Sequence, residues 1–184
     1  MTCKFSKSLF IFRRDLRICD NLGLLSAVRL SAEVSLAFIF DPRQVKRHPY
    51  HSNLGFSFLL ESLKELAEII KSKGGKLNFY YGTPEKVVES ICKKITFDAV
   101  FLNSDYTPFS IQRDKKIDAS CRKMGVAFKT YHDALLNDPA AVLKSDRTPY
   151  RIYTPYMKAA KKVPVLKPNK SEINNISDRT IQTC

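Results

Sequence analysis

Five short apolar runs, SLFIF (8–12), VSLAFIF (34–40), KLNFYY (76–81), DAVFLN (98–103) and VAFKTY (126–131), divide the first 131 residues at intervals too long for hairpins. Runs so short and so continuously apolar suit strands buried on both faces. The segments between them carry helical periodicity. From about Asn53 to Lys73, Leu59, Leu63, Leu66 and Ile70 recur at three- and four-residue steps, and Gly74-Gly75 supplies a stop. After the third run, Thr83 is placed as an N-cap, Pro84 at the first helical position and Glu85 at the positive end of the dipole, with Val87, Val88, Ile91, Cys92 and Ile95 facing inward. A helix from about Ser110 to Met124 turns Ile117, Cys121 and Met124 inward and ends at Gly125. A weaker one follows Asn21 through Leu24, Leu25, Val28 and Leu30. Connections of this length make right-handed crossovers between parallel strands. The expected fold is α/β: a doubly wound, Rossmann-like sheet of five parallel strands with helices on both faces.

This pattern stops near residue 135. Residues 1–135 are therefore read as the α/β domain, and 136–162, spaced by Pro139, Pro149 and Pro155, as an irregular exit segment in which Thr154-Pro155 could start one more helix. Residues 163–184 are polar and without sustained period, which reads as a linker or tail. A chain of 184 residues can bury roughly 70% of its extended surface, enough for one real core. No apolar run reaches the roughly 20 residues of a membrane span, and no secretory h-region opens the chain. Five cysteines without a CxxC pair suggest reduced thiols and a cytoplasmic location, and His48 with His51 has no cysteine nearby to complete a metal site. The net charge of +13 favours polyanions without marking a groove, and nine of the cations lie from Lys144 onward.

Doubly wound sheets bind ligands beyond the carboxyl ends of their strands. Interest therefore falls on Arg13-Arg14-Asp15, Asp41-Pro42-Arg43 and Asn103-Ser104-Asp105-Tyr106, the charged loops after three of the runs. Neither GxGxxG nor GxxxxGK[ST] occurs, which disfavours an ordinary dinucleotide oxidoreductase or P-loop enzyme, and no GxSxG elbow or Cys-His pairing offers a nucleophile. No catalytic residue is assigned. A plainer reading of the same loops has Arg14, Asp15, Arg17 and Asp20 in ion pairs, Asp20 or Asn21 capping the first helix, and Asp105 holding an Asx turn. By periodicity Phe56 and Phe58 are read as core, and Arg113 with Asp114 as a solvated helix face.

The stretch FRRDLRICDNLGLLSA resembles the N-terminal signature of the DNA photolyase/cryptochrome family, an FRxDLRxxDNxxL pattern after the first strand. Three further segments are similar to that family in order and spacing: SNLGFSFLLESLKELAEII, LNSDYTPFSIQRDKKI and VLKSDRTPYRIYTPYMKAA. The resemblance implies an α/β domain able to hold a light-harvesting antenna chromophore. It also implies a larger helical domain, beyond these residues, that binds FAD and repairs pyrimidine dimers in damaged DNA by photoinduced electron transfer. The chain has no Trp, so the family's tryptophan electron-transfer chain is expected in that helical part. By position beyond strand ends, the candidate antenna contacts are Arg13, Arg14, Asp15, Phe40, Asp41, Asp105 and Tyr106: arginines for a phosphate, aspartates for a ring or ribose hydroxyl. Thr107 stands where the family's folate antenna meets a carboxylate, which disfavours folate and leaves flavin, deazaflavin or no chromophore. Tyr150, Tyr153 and Tyr156 are expected to dock on the helical domain. By themselves these residues are expected not to repair DNA. A stand-alone nucleotide-binding or interaction module, or a decayed remnant, are the other readings.

Overall fold

The computed structural model describes residues 3–46, 51–165, 167–169 and 171–182. Five strands, β1 (Phe5–Phe12), β2 (Ser31–Phe40), β3 (Leu77–Tyr81), β4 (Ala99–Asn103) and β5 (Ala127–Tyr131), form one all-parallel sheet in the order β3-β2-β1-β4-β5. The helices are α1 (Leu22–Leu30), the one-turn α2 (Pro42–Val45), α3 (Asn53–Ser72), α4 (Pro84–Lys94), α5 (Pro108–Lys123) and α6 (Tyr153–Ala160). The expected doubly wound α/β fold is thus the observed one.

Alternation along the strands explains both faces. Phe10 and Phe12 of β1 and Phe101 of β4 point to a core closed by Leu24, Leu63, Leu66 and Ile70 of α1 and α3. Leu9, Ile11, Val100 and Leu102 point to the opposite core, closed by Val87, Val88 and Ile91 of α4 and by Ile117 and Cys121 of α5. Because each residue is buried on one side or the other, these strands read as unbroken apolar runs. β2 begins three residues before its apolar run because Ser31 is accommodated inside, its hydroxyl donating to Ser8 Oγ at 2.7 Å.

Residues 173–181 are not a free tail. Asn175 and Ser177 exchange backbone hydrogen bonds with Val34, and the Lys76 amide donates to the Ser177 carbonyl, so the segment continues the line of β3 along the start of β2. Ile173 and Ile176 pack into the first core and Ile181 into the second, so the segment passes from one face of the sheet to the other around its edge. Asn78 clamps it by donating to the Arg179 carbonyl and accepting from the Ile181 amide, while the Tyr80 hydroxyl donates to the Ile181 carbonyl. Gly75 is required by this strap, since a Cβ there would lie 2.9 Å from Ile176 Cβ.

Candidate functional site

In the order β3-β2-β1-β4-β5 the connections diverge between β1 and β4, so the loops above that junction part and leave a crevice. There the structure has a cleft of about 560 Å³. Its floor is apolar: Ile11 and Phe12 from β1, Phe38 and Ile39 from β2, Leu102 from β4 and Ile117 from α5. Polar groups stand around it: Arg13, Arg14, Asp41, Gln44, Ser62 and Arg113. One wall is α3, which presents Gly55, Phe58 and Leu59.

Below the rim, the loop after β1 is pinned by a buried polar network. Asp15, 7% exposed, accepts from the Arg13 amide at 2.9 Å, from Asn103 Nδ2 at 2.6 Å and from Asn21 Nδ2 at 3.2 Å. Asn21 is the N-cap of α1, accepting from the Leu24 amide at 3.0 Å, and Asn103 in turn accepts from the Gly23 amide at 2.9 Å. A Cβ on Gly23 would collide with the Asn103 amide oxygen, so the helix start approaches β4 only because that residue is glycine. Among the described residues the carboxylate of Asp15 meets amides and no cation, and these bonds fix the loop that carries Arg13 and Arg14.

Arg13 reaches across the strand ends. Its Nη1 pairs with Asp114 Oδ1 at 2.6 Å and its Nη2 donates to the Asn103 carbonyl. Arg113 Nε donates to the same Asp114 oxygen at 3.2 Å. Arg14 is the exposed cation of the rim: its side chain is 76% exposed and 3.6 Å from Asp105. Asp41 caps α2 and is held by Arg43 at 2.5 Å; hydrogen bonding to Asp41, opposed by burial, raises the Arg43 pKa.

Of the seven residues expected at the site, Arg13, Arg14 and Asp41 line this cleft. Asp15 lies beneath it. Phe40 turns toward Phe38 and Phe79, borders an apolar groove with Leu60 and Leu63, and also lines a smaller pocket that shares Asp41, Gln44 and Gly55 with the cleft. Asp105 and Tyr106 border a shallow depression on the β5 side. There Asp105 accepts from Ser110 Oγ at 2.8 Å and from the Thr107 amide, and Tyr106 stacks on His132 with its hydroxyl 2.8 Å from Nδ1. Burial would raise the Asp105 pKa, but these hydrogen bonds and Arg14 together hold it below the usual value.

Three expectations are corrected. Phe56 is not core: it is half-buried, belongs to neither core and lines a small pocket with His51 and Ser52. Phe58 is not core: it is 71% exposed and forms part of the cleft wall, because it falls outside the stripe of Leu59, Leu63, Leu66 and Ile70. Arg113 is not on a solvated face: it is 5% exposed, one turn before Ile117 on the inward side of α5. That four-residue spacing is the sequence signal that would have found it. Gln44 and Ser62 had no such signal. Among the described residues no cluster of three His, Cys, Asp or Glu could hold a metal, and no helix is long and apolar enough to cross a membrane. His48 lies outside the described residues.

With that geometry in hand, the comparisons with known proteins converge. The DNA photolyase family model matches residues 8–172. Similar curated proteins include the deoxyribodipyrimidine photo-lyases of Synechococcus sp., 30% identical over 150 residues (82% of this chain, 31% of the relative), and of Alkalihalophilus pseudofirmus, 31% identical over 153 residues (80% and 31%). The chain thus spans 31% of the length of each. Among solved structures, an archaeal photolyase from Sulfolobus tokodaii, described with two FAD molecules and as implicating a novel light-harvesting cofactor, is 38% identical with a TM-score of 0.84, covering 95% of this chain and 40% of that one. A bacterial class III photolyase from Agrobacterium tumefaciens shares the fold, with a TM-score of 0.85 at 24% identity over 100% of this chain and 37% of that one.

Proposed function

The chain belongs to the DNA photolyase family as its N-terminal α/β domain, and from that premise we propose that the cleft above β1, β2 and β4 is the seat of a light-harvesting antenna, a flavin or deazaflavin. The observation that carries this reading is the cleft itself. Its volume of about 560 Å³ falls within the roughly 300–1,000 Å³ of small-molecule sites. An apolar floor with an aromatic wall at Phe58 suits a planar ring system, and Arg13 and Arg14 suit a phosphate or other anionic group on its side chain. The residues present therefore fit the group. When bound, a flavin or deazaflavin supplies light absorption, and the chain's part is to bind, orient and shield it. The Sulfolobus tokodaii photolyase is described with two FAD molecules and as implicating a novel light-harvesting cofactor, which supports a flavin as the antenna.

Repair of damaged DNA is proposed only for the whole protein, through a helical FAD-binding domain of the family. Ile152 and Tyr153, 69% and 74% exposed at the start of α6, suit docking onto it. The test is titration of the 184-residue protein with FMN, FAD, riboflavin, a 5-deazaflavin and a methenylfolate, read by fluorescence and melting temperature. Saturable one-to-one binding of a flavin or deazaflavin, with no folate binding, is expected. Stabilisation by ATP or AMP alone would instead favour a nucleotide-binding module, and binding of folate alone would refute the flavin reading.

A further inference from the structure

Arg113 is a buried cation with an unused donor. Its Nε is engaged by Asp114, but Nη2, fully buried, has no hydrogen-bond partner among the described residues. Its neighbours deepen the imbalance. Arg13 takes the same Asp114 oxygen at 2.6 Å, so two guanidinium groups share one acceptor atom. Burial and the charge of Arg13 both lower the Arg113 pKa, against the pull of Asp114 and Asp105. Phe109 faces the guanidinium carbon at 5.8 Å, a contact with the ring that leaves the in-plane Nη2 donor unmet.

A buried guanidinium N–H without an acceptor is strongly unfavourable, and structures seldom keep one that nothing ever satisfies. Arg113 lines the cleft with Leu102 and Ile117 and is 5% exposed, whereas the Arg14 side chain is 76% exposed at the rim. Resting on the antenna reading above, we infer that Arg113 determines specificity in the cleft: its Nη2 donates to an oxygen acceptor at the buried end of the ligand. The chemistry required is a ring carbonyl or a phosphate oxygen. A ligand whose inner end is purely hydrocarbon would leave the donor stranded and be rejected, as sites built around buried polar groups reject analogues that lack the matching atom.

The test compares the wild-type chain with Arg113→Met and Arg113→Lys, titrated with riboflavin, FMN and FAD and read by flavin fluorescence and the flavin absorption band. Wild-type binding of at least one of these flavins, or of a 5-deazaflavin run beside them, checks the antenna reading separately, since the absence of both would refute that reading before any variant is compared. The Met variant is expected to weaken binding roughly tenfold or more, as loss of a hydrogen bond to a charged group implies. The Lys variant should recover part of the affinity but not the wild-type band position. Weakening for FMN and FAD with riboflavin spared assigns the acceptor to phosphate; equal weakening of all three assigns it to the ring. Binding by both variants within twofold of wild type, with an unchanged absorption band, would overturn the inference. The Lys variant keeps the cation beside Asp114, so the comparison stands even if the Met variant does not fold.

Discussion

Replacing Asn103 by alanine should unfasten the loop that carries Arg13 and Arg14. The Asn103 side chain donates to Asp15 at 2.6 Å and to Asn21 at 2.8 Å and accepts from the Gly23 amide at 2.9 Å, all of them buried. A hydrogen bond to a charged group contributes about 1.5–3 kcal/mol and a neutral one about 0.5–1.5 kcal/mol, so the three together amount to about 4 kcal/mol. For a chain of this length each kcal/mol moves the midpoint by about 2–4 °C, which gives a melting temperature lower by about 8–16 °C. Differential scanning calorimetry of Asn103→Ala against wild type reads the shift. The cause is identified by the double variant with Asn21→Ala. Both amides serve the same Asp15 oxygen, so the two losses should be non-additive by more than about 0.5 kcal/mol. A drop of under about 3 °C, or strict additivity, would refute the view that this network is one cooperative unit.

Two further outcomes are expected. Cys92 and Cys121 have thiol pKa values pushed up by burial to about 11 and about 12, so in a Cys184→Ser background only the exposed Cys3 and Cys19 should react quickly with a disulfide reagent at neutral pH; fast reaction of all four thiols would refute the burial. Gly75→Ala should destabilise by about 1–3 kcal/mol through overpacking against Ile176, and Ile176→Ala in the same chain should recover part of that loss; chemical denaturation of the four proteins in the cycle checks it, and no recovery would count against the packed strap.

How much of this was legible in the sequence follows from what each segment packs against. The central strands β1, β2 and β4 were legible because a parallel strand buried on both faces has no polar side to break its run, and α3 and α4 because one face of each is solvated. The crevice was legible through topology alone: Arg13, Arg14 and Asp41 follow strand ends, and strand ends open on it. The same rule overreached at Asp105 and Tyr106, which also follow a strand but face β5, and a loop's exit direction is not encoded in its composition. It also passed over the helix-borne half of the site. Phe58 is read as core by periodicity although its position lies just off the stripe of Leu59, Leu63, Leu66 and Ile70, and Arg113 is read as solvated although it stands one turn before Ile117 on the inward side of α5.

The strap at 173–181 failed to show for a different reason. Ile173, Ile176 and Ile181 follow neither the period of 2 nor that of 3.6, because the segment crosses the sheet edge and serves one core and then the other. Its partners were equally silent: Asn78 and Tyr80 sit in an apolar strand run, and their polar atoms find the carbonyls of Arg179 and Ile181 about 100 positions away. Two polar side chains at buried positions of a strand each need a hydrogen-bond partner. Those partners lie at the far end of the chain, which makes residues 173–181 part of the α/β fold itself, closing an edge that β3 alone leaves short.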